Sequence, residues 1–168
     1  MNRRHRAERG YTLAEMLVVV VIIGISAAVA VPAMGTFFKA YRIRTASDQL
    51  VGHLRAARQI AVSQRLPVTF TIDATGKTYS FTYTIPGQPA TVESFELPNE
   101  VTVSNTPSGA LTYTLKQNGT VSNPTTPDDQ SPTANYVTLS APINGTSTDT
   151  FTITVLTAGK IGAKHVRS

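Results

Sequence analysis

The residues from Gly10 to Pro32, GYTLAEMLVVVVIIGISAAVAVP, form an apolar run interrupted by a single carboxylate, Glu15. Nothing else in the chain restricts its fold as much. As a helix the run would rise about 1.5 Å per residue, or roughly 30 Å from Tyr11 to Val31, the hydrocarbon thickness of a bilayer. A carboxylate inside such a span costs about 2.5–3.5 kcal/mol on insertion scales, so Glu15 calls for a partner. The run is preceded by the basic stretch MNRRHRAERG and followed by residues patterned for water. Lys and Arg beside a membrane helix stay on the cytoplasmic side, which puts the C-terminal part outside the cytoplasm.

Gly10, Tyr11, Thr12, Leu13, Ala14 and Glu15 resemble the prepilin processing site of type IV pilins and type II secretion pseudopilins. The resemblance implies cleavage after Gly10 by a prepilin peptidase that also acts as N-methyltransferase on the new amine of Tyr11. Phenylalanine is usual after the cut, and Tyr11 keeps the aromatic ring. It further implies that Glu15 neutralises the N-terminal amine of an adjacent subunit in an apolar filament core, where low dielectric strengthens the pairing. Two other readings stand beside it. Glu15 could belong to a plain signal anchor and snorkel to the interface. Alternatively, Ser26-Ala27-Ala28-Val29-Ala30 could be the cleavage site of an ordinary signal peptide, leaving a secreted binding module that starts near Val31.

At 168 residues there is room for one domain and a membrane helix. The formal charge of +5 is reduced to +2 once the leader's four arginines and one glutamate are set aside (5 − 4 + 1 = 2), so overall basicity does not argue for nucleic acid. There is no cysteine, which leaves stability to the core alone.

Pro32 should kink or loosen the helix by removing one backbone hydrogen bond. Past it, Ile43, Ala46, Leu50, Leu54, Ala57 and Ala61 recur in steps of three and four and predict one apolar stripe. Arg44, Asp48, Arg55 and Gln59 fall opposite. The basic face, with Arg42, Arg58 and Arg65 added, reads as solvated or as a surface for acidic neighbours. The helix should run to about Gln64, with Pro67 marking its end. From there the period becomes two: Val68–Ile72 and Tyr79–Ile85 predict a hairpin turning over Asp73–Lys77. Further strands are expected at Thr91–Leu97, Glu100–Val103, Leu111–Leu115, Tyr136–Ala141 and Phe151–Leu156, with a tight turn at Asn118-Gly119. Residues 122–134, with three prolines and almost no apolar residue, predict an exposed loop.

The expected organisation is therefore a leader (1–10), a transmembrane or filament-core helix half (11–32), an amphipathic half (33–66) and a β-rich domain (67–168). The fold class is α+β: the long helix packed on antiparallel sheet. This order is similar to the pilin fold. Leu54-Arg55-Ala56-Ala57-Arg58-Gln59-Ile60-Ala61-Val62-Ser63 resembles a stretch of the minor pseudopilin family GspH/FimT. The implied partners are other pilins or pseudopilins and an inner-membrane assembly platform.

Sites for chemistry are sparse. His5, His53 and His165 lie far apart with no acid or cysteine at ligand spacing, so neither a metal nor another cofactor is expected. Asp128-Asp129 lacks the spacing of a calcium loop. Asn118 and Asn144 match glycosylation acceptors but are simpler as Asn-Gly turns. No phosphate loop or nucleophile elbow is present, and an enzyme is not expected. The basic C-terminus, Lys160, Lys164 and Arg167 with His165, resembles the DNA-binding tail of some FimT-like minor pilins, which take up DNA through a Gly-Arg-x-Arg motif. Here the place reads Gly159-Lys160-Ile161-Gly162 and lacks the second cation. Lysine keeps a phosphate contact but not the bidentate fork, so DNA binding stays an alternative beside a solvated basic edge strand.

Overall fold

The computed structural model describes residues 11–104, 110–122, 136–144, 147–156 and 158–167. Gly10 and the rest of the leader, most of the expected loop 122–134 and Asp128-Asp129 lie outside them. The chain divides into two compact units, Met1–Thr36 and Phe37–Ser168.

Helix α1 spans Leu13–Ser63. In the first unit its large apolar side chains are exposed from Leu13 to Val31. Among the described residues no single helix is long and apolar enough to cross a membrane. The segments Leu13–Val29 and Met34–Ser63, on either side of a break that includes Pro32, meet the length and composition test together.

In the second unit, the predicted stripe of α1 is the core-facing one. Ile43, Ala46, Leu50, Leu54, Ala57 and Ala61 are all buried, as are Val51 and Ser47 between them. Arg44, Asp48, Arg55 and Gln59 are exposed. The helix stops before Pro67 is reached. Arg65 takes a left-handed φ of 54°, and Leu66 N–H reaches back to the Ala61 carbonyl at 3.1 Å, the long bond of a Schellman end.

Among the described residues nine strands follow: β1 Val68–Asp73, β2 Thr78–Thr84, β3 Ala90–Glu96, β4 Thr102–Ser104, β5 Ala110–Leu115, β6 Val121–Ser122, β7 Tyr136–Asn144, β8 Ser147–Val155 and β9 Ile161–Arg167. They form two antiparallel sheets ordered β3-β2-β1-β5-β6 and β4-β7-β8-β9. Alternate residues of β1, β5 and β8 point into the core, as a period of two requires: Val68, Phe70 and Ile72; Leu111, Tyr113 and Leu115; Phe151, Ile153 and Val155. The stretch after Lys160 is the edge strand β9, the basic edge strand that is one reading of its clustered cations. The short β6 escapes the sequence pattern, since two residues cannot display a period.

The turns follow their side chains. Asp73 Oδ1 accepts from Thr75 N–H at 2.8 Å and Gly76 N–H at 3.0 Å between β1 and β2. Asn118 Oδ1 accepts from Thr120 N–H at 3.1 Å between β5 and β6. Gly119 there has φ 79°, the left-handed position that the Asn-Gly pair predicts.

Candidate functional site

The start of α1 is built from local chemistry. Thr12 Oγ1 accepts from Glu15 N–H at 3.2 Å. The Thr12 carbonyl takes Glu15 N–H at 3.1 Å and Met16 N–H at 3.2 Å. Thr12 is thus the N-cap and Glu15 the third helical residue, the Thr-x-x-Glu spacing of a capping box. That spacing is visible in the sequence, beside the pairing and snorkelling readings of Glu15. A carboxylate in the first turn also faces the positive end of the helix dipole.

Among the described residues only the Thr12 half of that box is formed, its hydroxyl accepting from Glu15 N–H. Among the described residues the Glu15 carboxylate has no ion-pair partner. Around it Tyr11, Leu13, Leu17, Val18, Val20 and Ile22 are more than half exposed. Each such aliphatic side chain gains about 1.5–3 kcal/mol on full burial, so this face demands an apolar environment that the first unit does not itself supply. A charge among those side chains then demands an opposite one.

The three cations considered for DNA are not brought onto one surface. Lys160 stands before β9 in a cleft with Arg55 and Arg58. Lys164 and Arg167 lie on opposite faces of β9, because side chains alternate along a strand. Arg167 is also compensated: its Nε lies 3.4 Å from Asp149 Oδ1, and His165 Nε2 lies 3.3 Å from the same oxygen. Asp149 is 4% exposed and stands opposite Arg167 across the β8–β9 ladder. The His165 ring stacks on Phe151, the next cross-strand pair on that face, at 4.5 Å.

His53 is a packing residue. Its ring stacks on Phe95 at 3.9 Å, and Nδ1 shares a 2.9 Å hydrogen bond with the Tyr79 hydroxyl. Burial pushes the Tyr79 phenol up to about 12 and the Tyr113 phenol higher still. Among the described residues no group of three or more His, Asp or Glu side chains gathers where a metal could sit. Of the helix arginines, Arg42 pairs with Glu100 at 2.6 Å. Arg58 Nε donates to the Gly119 carbonyl at 2.9 Å, and Arg55 Nη2 to the Ile161 carbonyl at 3.4 Å.

A model of the prokaryotic N-terminal methylation motif matches residues 5–31, and the model of type II transport protein GspH matches residues 46–167. Among solved structures, the chain is similar to the minor pseudopilin EpsH from the type 2 secretion system of Vibrio cholerae. The two are 11% identical over 73% of this chain and 96% of that one, with a TM-score of 0.50, a likeness of fold. The type IV minor pilin FimU of Pseudomonas aeruginosa is 23% identical over 72% of this chain and 91% of its own, with a TM-score of 0.46. No curated protein matches the chain by sequence.

Proposed function

The chain belongs to the GspH family of type II transport proteins, and from that premise we propose how its two units work. It is a minor pseudopilin or minor pilin subunit, assembled into a type II secretion pseudopilus or a type IV pilus. Its work is assembly, without turnover of its own. Before assembly it is held in the inner membrane by the apolar half of α1, with the arginines of the leader on the cytoplasmic side and the β-rich unit in the periplasm. A prepilin peptidase cuts between Gly10 and Tyr11 and methylates the Tyr11 amine. An assembly platform then moves the subunit from lipid into the filament, where the apolar side chains of α1 exchange lipid for neighbouring helices. The break near Pro32 lets the helix adapt to the new packing.

The observation that carries this reading is the unpaired Glu15 carboxylate in an exposed apolar run, four residues behind the new N-terminus. In the filament it meets the Tyr11 amine of an adjacent subunit, a pair strengthened by the low dielectric around it. Sheared filaments from cells producing Glu15→Val should lack the subunit, while the membrane fraction still contains its cleaved form. Normal amounts of the variant in filaments would refute the pairing role.

A further inference from the structure

Of the arginines of α1, two stand beside carboxylates: Arg42 pairs with Glu100, and Arg44 shares a pocket with Asp48 and Asp149. Arg55 and Arg58 do not. With Gln59 and Val62 they recur in steps of three and four, so the four share one stripe of the helix. This stripe forms one wall of an open cleft of about 530 Å³, and Gly119, Gly159 and Lys160 stand on the other. No carboxylate stands among the described lining residues, and among the described residues neither Arg55, Arg58 nor Lys160 has an ion-pair partner. Like charges one turn apart on a helix repel, so the arginine pair is unfavourable until an anion joins it. The cleft is nonetheless built. Carbonyls of Ile161 and Gly119 hold Arg55 and Arg58, which fixes the guanidinium groups in place without neutralising them. A Cβ on Gly159, at φ 78°, would collide with the Gly119 carbonyl oxygen and with Arg58 Nε, so glycine there lets turn and arginine close up.

We infer that the Arg55–Arg58–Lys160 cleft receives carboxylates of a filament neighbour that is a different protein from this chain, and that the contact selects that neighbour. A carboxylate bound by guanidinium forks already held in place gains direction as well as attraction. Val62, 42% exposed in the cleft wall, offers the same segment an apolar contact. A second copy does not fit, because the second unit has no matching acidic surface among its described residues. Glu100 and Asp149 are paired, Asp48 shares its pocket with Arg44, Asp73 accepts from the β1–β2 turn, and Glu93 and Glu96 lie on opposite faces of β3. Duplex nucleic acid fits less well too, since it presents charge along its whole length. Lys164 and Arg167 lie on opposite faces of β9 and do not prolong the cleft as one track. A minor subunit stands among unlike neighbours, and a receptor for carboxylates it does not itself present suits that position. This inference rests on the filament reading.

A photo-cross-linking benzophenone side chain in place of the exposed Gln59 reports what enters the cleft. The full chain carrying it is produced in a host with the assembly machine, and adducts from the membrane and filament fractions are sequenced by mass spectrometry. The cross-linked peptide should come from a different pilin or pseudopilin and hold Asp or Glu close to the cross-link. Arg55→Glu with Lys160→Glu should cut the adduct about tenfold, and replacing those carboxylates of the neighbour by lysine should restore it. Lys164→Glu, outside the cleft, should leave it unchanged. An adduct with a second copy, with a peptide that lacks acid, or with DNA overturns the inference. So does an adduct that the double reversal spares or that Lys164→Glu equally removes. Because the chain has no cysteine, single cysteines along residues 17–25 report helix packing separately. Helix cross-links without a Gln59 adduct overturn the inference and leave the filament reading standing; absence of both overturns both.

Discussion

Thr12 and Glu15 stand three residues apart, and that spacing offers the carboxylate a capping role at the helix start beside the intermolecular pairing proposed for it. Two substitutions separate them. Glu15→Gln can still serve a capping box but carries no charge; Glu15→Val can do neither. If amine pairing governs assembly, both variants should be cleaved and both should be missing from filaments. Recovery of incorporation by Gln alone would make capping the role that matters. Gly159 offers a second test at this scale. Gly87 and Gly159 have similar positive φ, 83° and 78°, but only Gly159 has backbone against its missing side chain. Gly87→Ala should cost about 1 kcal/mol from strain alone. Gly159→Ala should cost about 2 kcal/mol or more in denaturant titration, because the β5–β6 turn must also move. The buried phenols predict an alkaline limit. A pKa raised on folding contributes stability that is complete below the unfolded value near 10 and lost as pH rises through the folded value, about 12 for Tyr79. Unfolding should therefore set in above about pH 10, with tyrosinate absorbance from Tyr79 and Tyr113 appearing after that of exposed tyrosines; titration of all at one pH would contradict their burial.

The second half of α1 is the element whose design is most readable from sequence, because helical period and burial coincide. Leu54 is fully buried and Arg55 beside it is exposed. Leu54→Ala should destabilise the chain by about 2–5 kcal/mol, and Arg55→Ala by a small fraction of that. A comparable loss at both positions would mean that the helix does not pack on the sheets as described. Strands β1, β2, β5 and β8 were legible for the same reason, their alternation of apolar and threonine residues matching the pleat. What escaped the sequence depends on partners distant in the chain. Asp149 reads as one more polar residue of a threonine-rich strand, and only the β8–β9 register brings it against His165 and Arg167. Likewise, nothing local shows that Arg58 would reach Gly119. Of the cations that sit together in sequence at the C-terminus, Lys164 and Arg167 are separated by the strand's alternation, while Lys160 joins Arg55 and Arg58 in a cleft. Since Asp149 ties down an edge strand, Asp149→Ala should speed amide exchange along β9 while leaving β7 unchanged; equal acceleration in both would show a global loss instead.

For the molecule as a whole, the two units divide the requirements of a filament subunit. The first presents apolar side chains that water would not tolerate, and the second carries its own core between a helix and two sheets. The membership in the GspH family and the methylation motif agree with that division. The central claim is that the chain is processed ahead of its apolar run and keeps that run for assembly. Mass spectrometry of the N-terminal peptide of the mature protein tests it directly. The account predicts a chain that begins at N-methylated Tyr11, with Glu15 retained. A mature chain beginning near Val31, as an ordinary signal peptidase would leave it, would contradict the account.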